Sequence, residues 1–131
     1  IAAKKFSRYP STAFSFAEGT RYSNEKHEAQ SSPYKNLLIP KIGALATALN
    51  GMPEVDTILD FTIIYKSKKR SAWAYACGEM KDVKIIIKSY PIPDILKNKG
   101  FDEQAQYKMD FKNFIEDIWR KKEQIIKQSK F

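Results

Sequence analysis

Four short apolar segments of this chain have the pattern of β-strands, and two longer segments have the pattern of helices. The strand segments share a content of β-branched, aromatic or small residues, and they are Thr12–Phe16, Thr57–Tyr65, Ala72–Cys77 and Val83–Lys88. Apolar residues recur at helical spacing from Pro40 to Gly51 and from Asp102 to Gln128, where only Lys122 interrupts the stripe. Strand, helix and strand in that order form a right-handed βαβ unit if the two strands are parallel. We therefore expect an α/β fold with a partial mixed or parallel sheet, a βαβ unit and a long C-terminal helix.

A polar cluster follows the first predicted strand directly: Glu18, Gly19, Thr20 and Arg21. In an open α/β sheet, ligands bind beyond the carboxyl ends of the strands. The guanidinium of Arg21 matches phosphate oxygens, Gly19 permits a close approach of backbone amides, and Thr20 adds a hydroxyl. Glu18 could hold Arg21 or a loop amide in place. These four residues predict a phosphate site, and the alternative is an ordinary turn with a surface ion pair.

The segment from Tyr22 to Asn36 is polar and reads as a long loop. Long loops in compact domains are usually functional, and this one follows the polar cluster, so we expect a flap over the substrate head group. His27 is the only histidine of the chain and lies in this segment. We expect it to be a solvated loop residue and not a catalytic base.

A net charge of +8 and a pI near 9.5 predict attraction to anionic partners, which include nucleic acid, acidic phospholipid and an acidic acyl carrier protein. Residues 66–70 form a basic run, Lys-Ser-Lys-Lys-Arg, which is either a solvated turn or a contact for anionic lipid head groups. One cysteine and one histidine cannot form a disulfide framework or a Cys/His zinc site. Cys77 is expected to be a core thiol.

Three segments resemble the glycerolipid acyltransferases, the family that acylates glycerol 3-phosphate and lysophosphatidate. Residues 16–21, Phe-Ala-Glu-Gly-Thr-Arg, resemble the family's Phe-Pro-Glu-Gly-Thr-Arg block, with Ala17 in place of proline. Residues 40–44, Pro-Lys-Ile-Gly-Ala, look like its Phe-Lys-x-Gly-Ala segment, which implies that Lys41 is a second phosphate ligand. Residues 118–126 are similar to a Trp-x-x-Lys-Asp/Glu element that closes the domain in part of the family.

The resemblance implies a glycerol-3-phosphate acyltransferase-like fold, of which residues 1–131 would be the C-terminal portion. The family's His-x-x-x-x-Asp dyad precedes its Glu-Gly-Thr-Arg block, so we expect this dyad upstream of Ile1. We therefore expect no catalytic residue in this chain and no activity of this chain alone. Ser32, five residues after His27, does not match the dyad. The implied reaction transfers an acyl group from acyl-CoA or acyl carrier protein to lysophosphatidate or a related lysophospholipid, without a metal or other cofactor. The implied location is the cytoplasmic face of the inner membrane, in contact with anionic lipid.

The alternative function is that of a basic, non-enzymatic module that binds nucleic acid or an anionic membrane. Because no known nucleic-acid motif accompanies the charge, nucleic acid is not the expected partner. A partial sheet has an unpaired apolar edge, so we also expect the chain to self-associate. The phosphate interpretation requires Thr12–Phe16 to lie in the sheet and Arg21 to face a cavity.

Overall fold

The computed structural model describes residues 9–69, 71–97 and 105–129. Its elements, in chain order, are helix α1 (Asn24–Gln30), helix α2 (Ile42–Asn50), strand β1 (Thr57–Tyr65), helix α3 (Ala72–Ala76), strand β2 (Val83–Pro91), a 3-10 turn (Asp94–Leu96) and helix α4 (Ala105–Gln128). The fold is therefore mixed α/β with a long C-terminal helix, which confirms the fold prediction at this level. The predicted start of the last helix at Asp102 lies outside the described residues.

The two strands pair antiparallel along their full lengths, from Thr57 opposite Pro91 to Tyr65 opposite Val83. β1 confirms its prediction, and β2 runs three residues beyond the predicted Lys88. Side chains alternate between the two faces of the sheet. On one face, Asp60 and Thr62 are buried, and Lys122 of α4 donates to the Asp60 carboxylate. The opposite face is exposed.

The core is built on one stripe of α4, as its helical spacing predicts. The buried members of the stripe are Tyr107, Phe111, Ile115, Ile118 and Trp119. They pack against buried residues of α2, the 3-10 turn and the segment that precedes α2, namely Ala46, Leu96, Tyr34 and Leu37. The indole Nε1 of Trp119 donates to the carbonyl oxygen of Leu38 at 3.1 Å, which joins α4 to that segment.

Two segments are helical where the sequence predicts otherwise, and a serine cap explains each case. Ser23 accepts a hydrogen bond from the Lys26 amide, so α1 forms inside the predicted loop 22–36. Ser71 accepts from the Ala74 amide, so residues 72–76 form α3 and not the predicted strand. Cys77, which follows α3, is exposed, and the prediction of a core thiol is wrong.

The prediction of a strand at Thr12–Phe16 is wrong. The predicted parallel βαβ unit, which needs this strand, is therefore not present in the described part of the chain. Phe14 is 86% exposed and Phe16 is 91% exposed, and no strand hydrogen bonds join this segment to β1 or β2. Apolar composition favours a strand only where a neighbouring backbone is present to pair with it. The sheet-edge argument for the phosphate site therefore fails.

Candidate functional site

The four predicted site residues, Glu18 to Arg21, form a turn and the segment that leaves it. The Gly19 amide donates to the Phe16 carbonyl oxygen at 2.8 Å, and Gly19 has a φ of +67°, in the left-handed region that favours glycine. Gly19 thus shapes the turn, but its own amide is already used within it. This differs from the sequence prediction, in which Gly19 exposes backbone amides to an anion.

The half-buried carboxylate of Glu18 fixes the segment that precedes α2. Its Oε1 accepts from the Leu38 amide at 3.2 Å, so of the two partners expected for Glu18 the structure shows the loop amide. Burial raises the pKa of the Glu18 carboxyl, while the Leu38 hydrogen bond and the charge of Lys122 act in the opposite direction. Glu18 is therefore a positioning residue beneath the turn.

Lys41 lies against Gly19, although the two residues are far apart in the sequence. The Lys41 amide donates to the Ala17 carbonyl oxygen at 2.6 Å, which holds the start of α2 beside the turn. A Cβ atom placed on Gly19 would be 2.8 Å from Cδ and 2.9 Å from Nζ of Lys41. A side chain at residue 19 would therefore require the end of the Lys41 side chain to move aside. The structure thus brings Lys41 to the Glu18–Arg21 turn, as the resemblance implies.

Lys26 on α1 is a further cation at the turn, and the sequence interpretation did not assign it a role. Its Nζ donates to the Thr20 hydroxyl at 2.7 Å and to the Arg21 carbonyl oxygen at 3.3 Å. The Thr20 oxygen accepts this bond and keeps its own hydrogen to donate to a ligand. Ser23 is a sequence signal for the start of α1, but it does not indicate that Lys26 contacts the turn.

Lys26 and Lys41 bring two exposed cations to the turn that carries Arg21, and we call these three residues with Glu18, Gly19 and Thr20 the turn site. Arg21 is exposed, and no hydrogen bond or ion pair engages its guanidinium among the residues that the structure describes. Three cations and one hydroxyl suit a dianionic phosphate, which carries several acceptor oxygens.

Other candidate chemistry lies elsewhere or is already engaged. His27 is half-buried in α1, and its Nε2 donates to the Tyr34 carbonyl oxygen, so the prediction of a solvated loop residue is wrong. Within the ranges that the structure describes, no three His, Cys, Asp or Glu side chains are grouped to hold a metal ion. An open hollow lies at the connection between the strands, lined by Lys66, Ser67, Gly78, Glu79, Lys81 and Asp82. None of the predicted site residues lines it.

The basic run at residues 66–70 is partly neutralised by ion pairs at the surface. Lys66 Nζ lies 3.2 Å from the Asp82 carboxylate, and Lys69 Nζ lies 3.4 Å from that of Glu79. Lys68 is exposed, and Arg70 lies outside the described residues. None of the described helices is both long and apolar enough to cross a lipid bilayer.

Comparison with known proteins adds no relative to this picture. Searches against protein-family models, curated proteins and solved structures found no match to the chain. The resemblance to the glycerolipid acyltransferases therefore rests on the residues of the chain itself.

Proposed function

We propose that the turn site binds the phosphate of a lysophospholipid acceptor, and that the chain belongs to an acyltransferase of phospholipid biosynthesis. The observation that supports this most is the contact of the Lys41 side chain with Gly19. The two segments that resemble separate blocks of one enzyme family meet at this point. The segment Thr12–Phe16 lies outside the sheet, so the proposal rests on these contacts and not on a sheet edge.

In the proposed reaction the acceptor hydroxyl attacks the thioester carbonyl of acyl-CoA or acyl carrier protein. The new ester bond forms, the carbon–sulfur bond breaks, and the thiol leaves with the proton that a base takes from the hydroxyl. His27 is bound to the Tyr34 carbonyl oxygen, so the proposal assigns the base to a residue other than His27. The turn site acts on the other end of the acceptor, where it holds the phosphate and thereby orients the reacting hydroxyl.

Each residue of the turn site has a separate task in this proposal. Arg21 offers two parallel N–H donors to the phosphate, and Lys41 adds a mobile point charge. Thr20 donates its hydroxyl hydrogen, while Lys26 fixes that hydroxyl by donating to its oxygen. Glu18 remains outside the ligand and holds the Leu38 amide.

The binding step is tested by calorimetric titration of glycerol 3-phosphate into the wild-type chain and into variants. We expect Arg21→Ala and Lys41→Ala each to weaken binding by about tenfold or more, because each removes a charge-assisted hydrogen bond. Lys68→Ala is the matched control, since it removes the same charge from an exposed position outside the turn site. Equal losses in all three variants would show attraction by net charge alone.

The enzymatic step is tested by joining the expected upstream segment to the chain and assaying acyl transfer from acyl-CoA to lysophosphatidate. Arg21→Ala is expected to lower the rate at limiting acceptor. An unchanged rate would contradict the anchoring role. The alternative of a nucleic-acid module predicts salt-sensitive gel shifts that survive Arg21→Ala and weaken when Lys68, Lys69 and Arg70 are neutralised.

A further inference from the structure

Helix α1, which carries Lys26, is attached to the core by polar side chains. It contains no buried residue, so apolar packing does not hold it in place. Two of its side chains, His27 and Gln30, are half-buried, and they lie three residues apart on one face of the helix. The His27 Nε2 donates to the Tyr34 carbonyl oxygen, and the Gln30 side-chain oxygen accepts from the Ile39 amide at 3.0 Å. These two hydrogen bonds join α1 to the segment 34–39, which precedes α2.

The segment 34–39 is itself bound to the long helix α4. Trp119 donates to the Leu38 carbonyl oxygen at 3.1 Å. The Glu123 carboxylate accepts from the Asn36 backbone amide at 3.2 Å and from the Asn36 side chain at 2.9 Å. The hydrogen bonds from α1 therefore end on a segment that two side chains of α4 hold in place.

The His27 ring also contacts the chain that leaves the turn site. Its centroid lies 5.7 Å from that of Tyr22, which follows Arg21 directly, and the two ring planes are inclined by 51°. This separation is typical of favourable contacts between rings. The residue before His27 is Lys26, whose Nζ donates to the Thr20 hydroxyl and to the Arg21 carbonyl oxygen. His27 thus links the segment bound to α4 with the residues of the turn site.

We propose that His27 is a positioning residue of the turn site and that it acts through Lys26. Because α1 has no buried side chain, loss of the His27 hydrogen bond lets the helix move and takes the Lys26 ammonium away from Thr20. The Thr20 hydroxyl then binds a phosphate less well, since its orientation has to be fixed during binding. The effect on binding rests on the proposed phosphate function, whereas the contact between Lys26 and Thr20 is testable without a ligand.

A double-mutant cycle, measured by calorimetric titration of glycerol 3-phosphate, tests the route through Lys26. His27→Ala should weaken binding by about fivefold, the loss expected for one hydrogen bond. In a chain that already carries Lys26→Ala, the same change should have little further effect, because the side chain that His27 positions is absent. His27→Gln should restore most of the binding, since the glutamine amide also donates a hydrogen bond. Asn24→Ala is the matched control, because it alters an exposed side chain of the same helix.

Hydrogen exchange and amide chemical shifts of the ligand-free chain give an independent measurement. His27→Ala should speed amide exchange in α1 by about fivefold and leave exchange in α4 unchanged, because α1 opens without unfolding of the core. The Thr20 amide shift should change in the same direction in His27→Ala and in Lys26→Ala. It should return toward the wild-type value in His27→Gln.

The outcomes that overturn the positioning role are specific. One is an equal loss of binding from His27→Ala with and without the Lys26 side chain, because His27 would then act independently of Lys26. Another is exchange that rises equally in α1 and α4, which would make His27 a general stabilising residue. If wild type binds no glycerol 3-phosphate, but His27→Ala still moves the Thr20 shift and speeds exchange in α1 alone, the phosphate function fails and the positioning of Lys26 is supported.

Discussion

The buried ion pair between Asp60 of β1 and Lys122 of α4 gives the sharpest stability prediction. Lys122 Nζ lies 2.6 Å from the Asp60 carboxylate, and the two side chains are 14% and 8% exposed. The same Nζ donates to the Phe61 carbonyl oxygen at 3.0 Å. Lys122→Met keeps much of the aliphatic stem but leaves the Asp60 charge buried, with the Thr62 hydroxyl at 3.4 Å as its remaining side-chain donor among the described residues. We expect a loss of about 3–5 kcal/mol in the free energy of unfolding.

The neighbouring residue is a matched control for this variant. Lys121 Nζ also lies 2.6 Å from a carboxylate, that of Asp117, but these two side chains are 52% and 53% exposed. Lys121→Met should therefore cost no more than about 1 kcal/mol. The double variant Asp60→Leu/Lys122→Met should recover most of the loss, because an apolar pair replaces the ion pair without an unpaired charge.

Urea unfolding at neutral pH, followed by circular dichroism, measures all of these differences. Equal losses for Lys121→Met and Lys122→Met would refute the reasoning, since burial would then have no effect on the energy of the pair. A double variant that is as unstable as Lys122→Met would show that packing of the lysine stem, and not its charge, stabilises the contact with β1.

Two further predictions concern the turn site. Glu18→Gln keeps an oxygen that accepts from the Leu38 amide, but its side chain cannot ionise. Because folding raises the pKa of the Glu18 carboxyl, the folded wild type gives up its proton less readily than the unfolded chain does. Chemical unfolding should therefore show that the wild type loses stability relative to Glu18→Gln as the pH rises from about 4 to about 7. A difference that stays constant with pH would contradict the assigned burial. Gly19→Ala should lower the free energy of unfolding by about 1 kcal/mol because of the positive φ at this position. It should also weaken glycerol 3-phosphate binding in the calorimetric titration, because the new Cβ displaces the Lys41 side chain. Gly43→Ala is the control: its Cβ would lie in open space, so binding should be unchanged.

Local sequence patterns predict a strand whose partner strand is near in the sequence, and a helix with a long apolar stripe. The stripe of α4 and the β-branched content of β1 and β2 are sufficient for these elements, because each side chain either faces the core or alternates on the sheet. The exposed segment Thr12–Phe16 shows where this fails, since its apolar residues have no adjacent strand to pair with. Lys122 interrupts an apolar stripe and Asp60 interrupts an apolar strand, and only the structure shows that they neutralise each other.

The turn site was predictable in its residue types but not in its geometry. Glu18, Gly19, Thr20 and Arg21 are contiguous, and the resemblance adds Lys41. The position of Lys26 depends on how α1 folds back, which a polar, loop-like sequence does not indicate. The use of the Gly19 amide within the turn depends on the local backbone and could not be predicted from composition.

The most direct test of the phosphate site is to map amide chemical shifts while glycerol 3-phosphate is added to the isotope-labelled chain. The account predicts saturable shifts confined to residues 18–21, Lys26 and Lys41, and their loss in Arg21→Ala/Lys41→Ala. Shifts centred on the connection at residues 66–82, or spread evenly over the lysines of the surface, would contradict it.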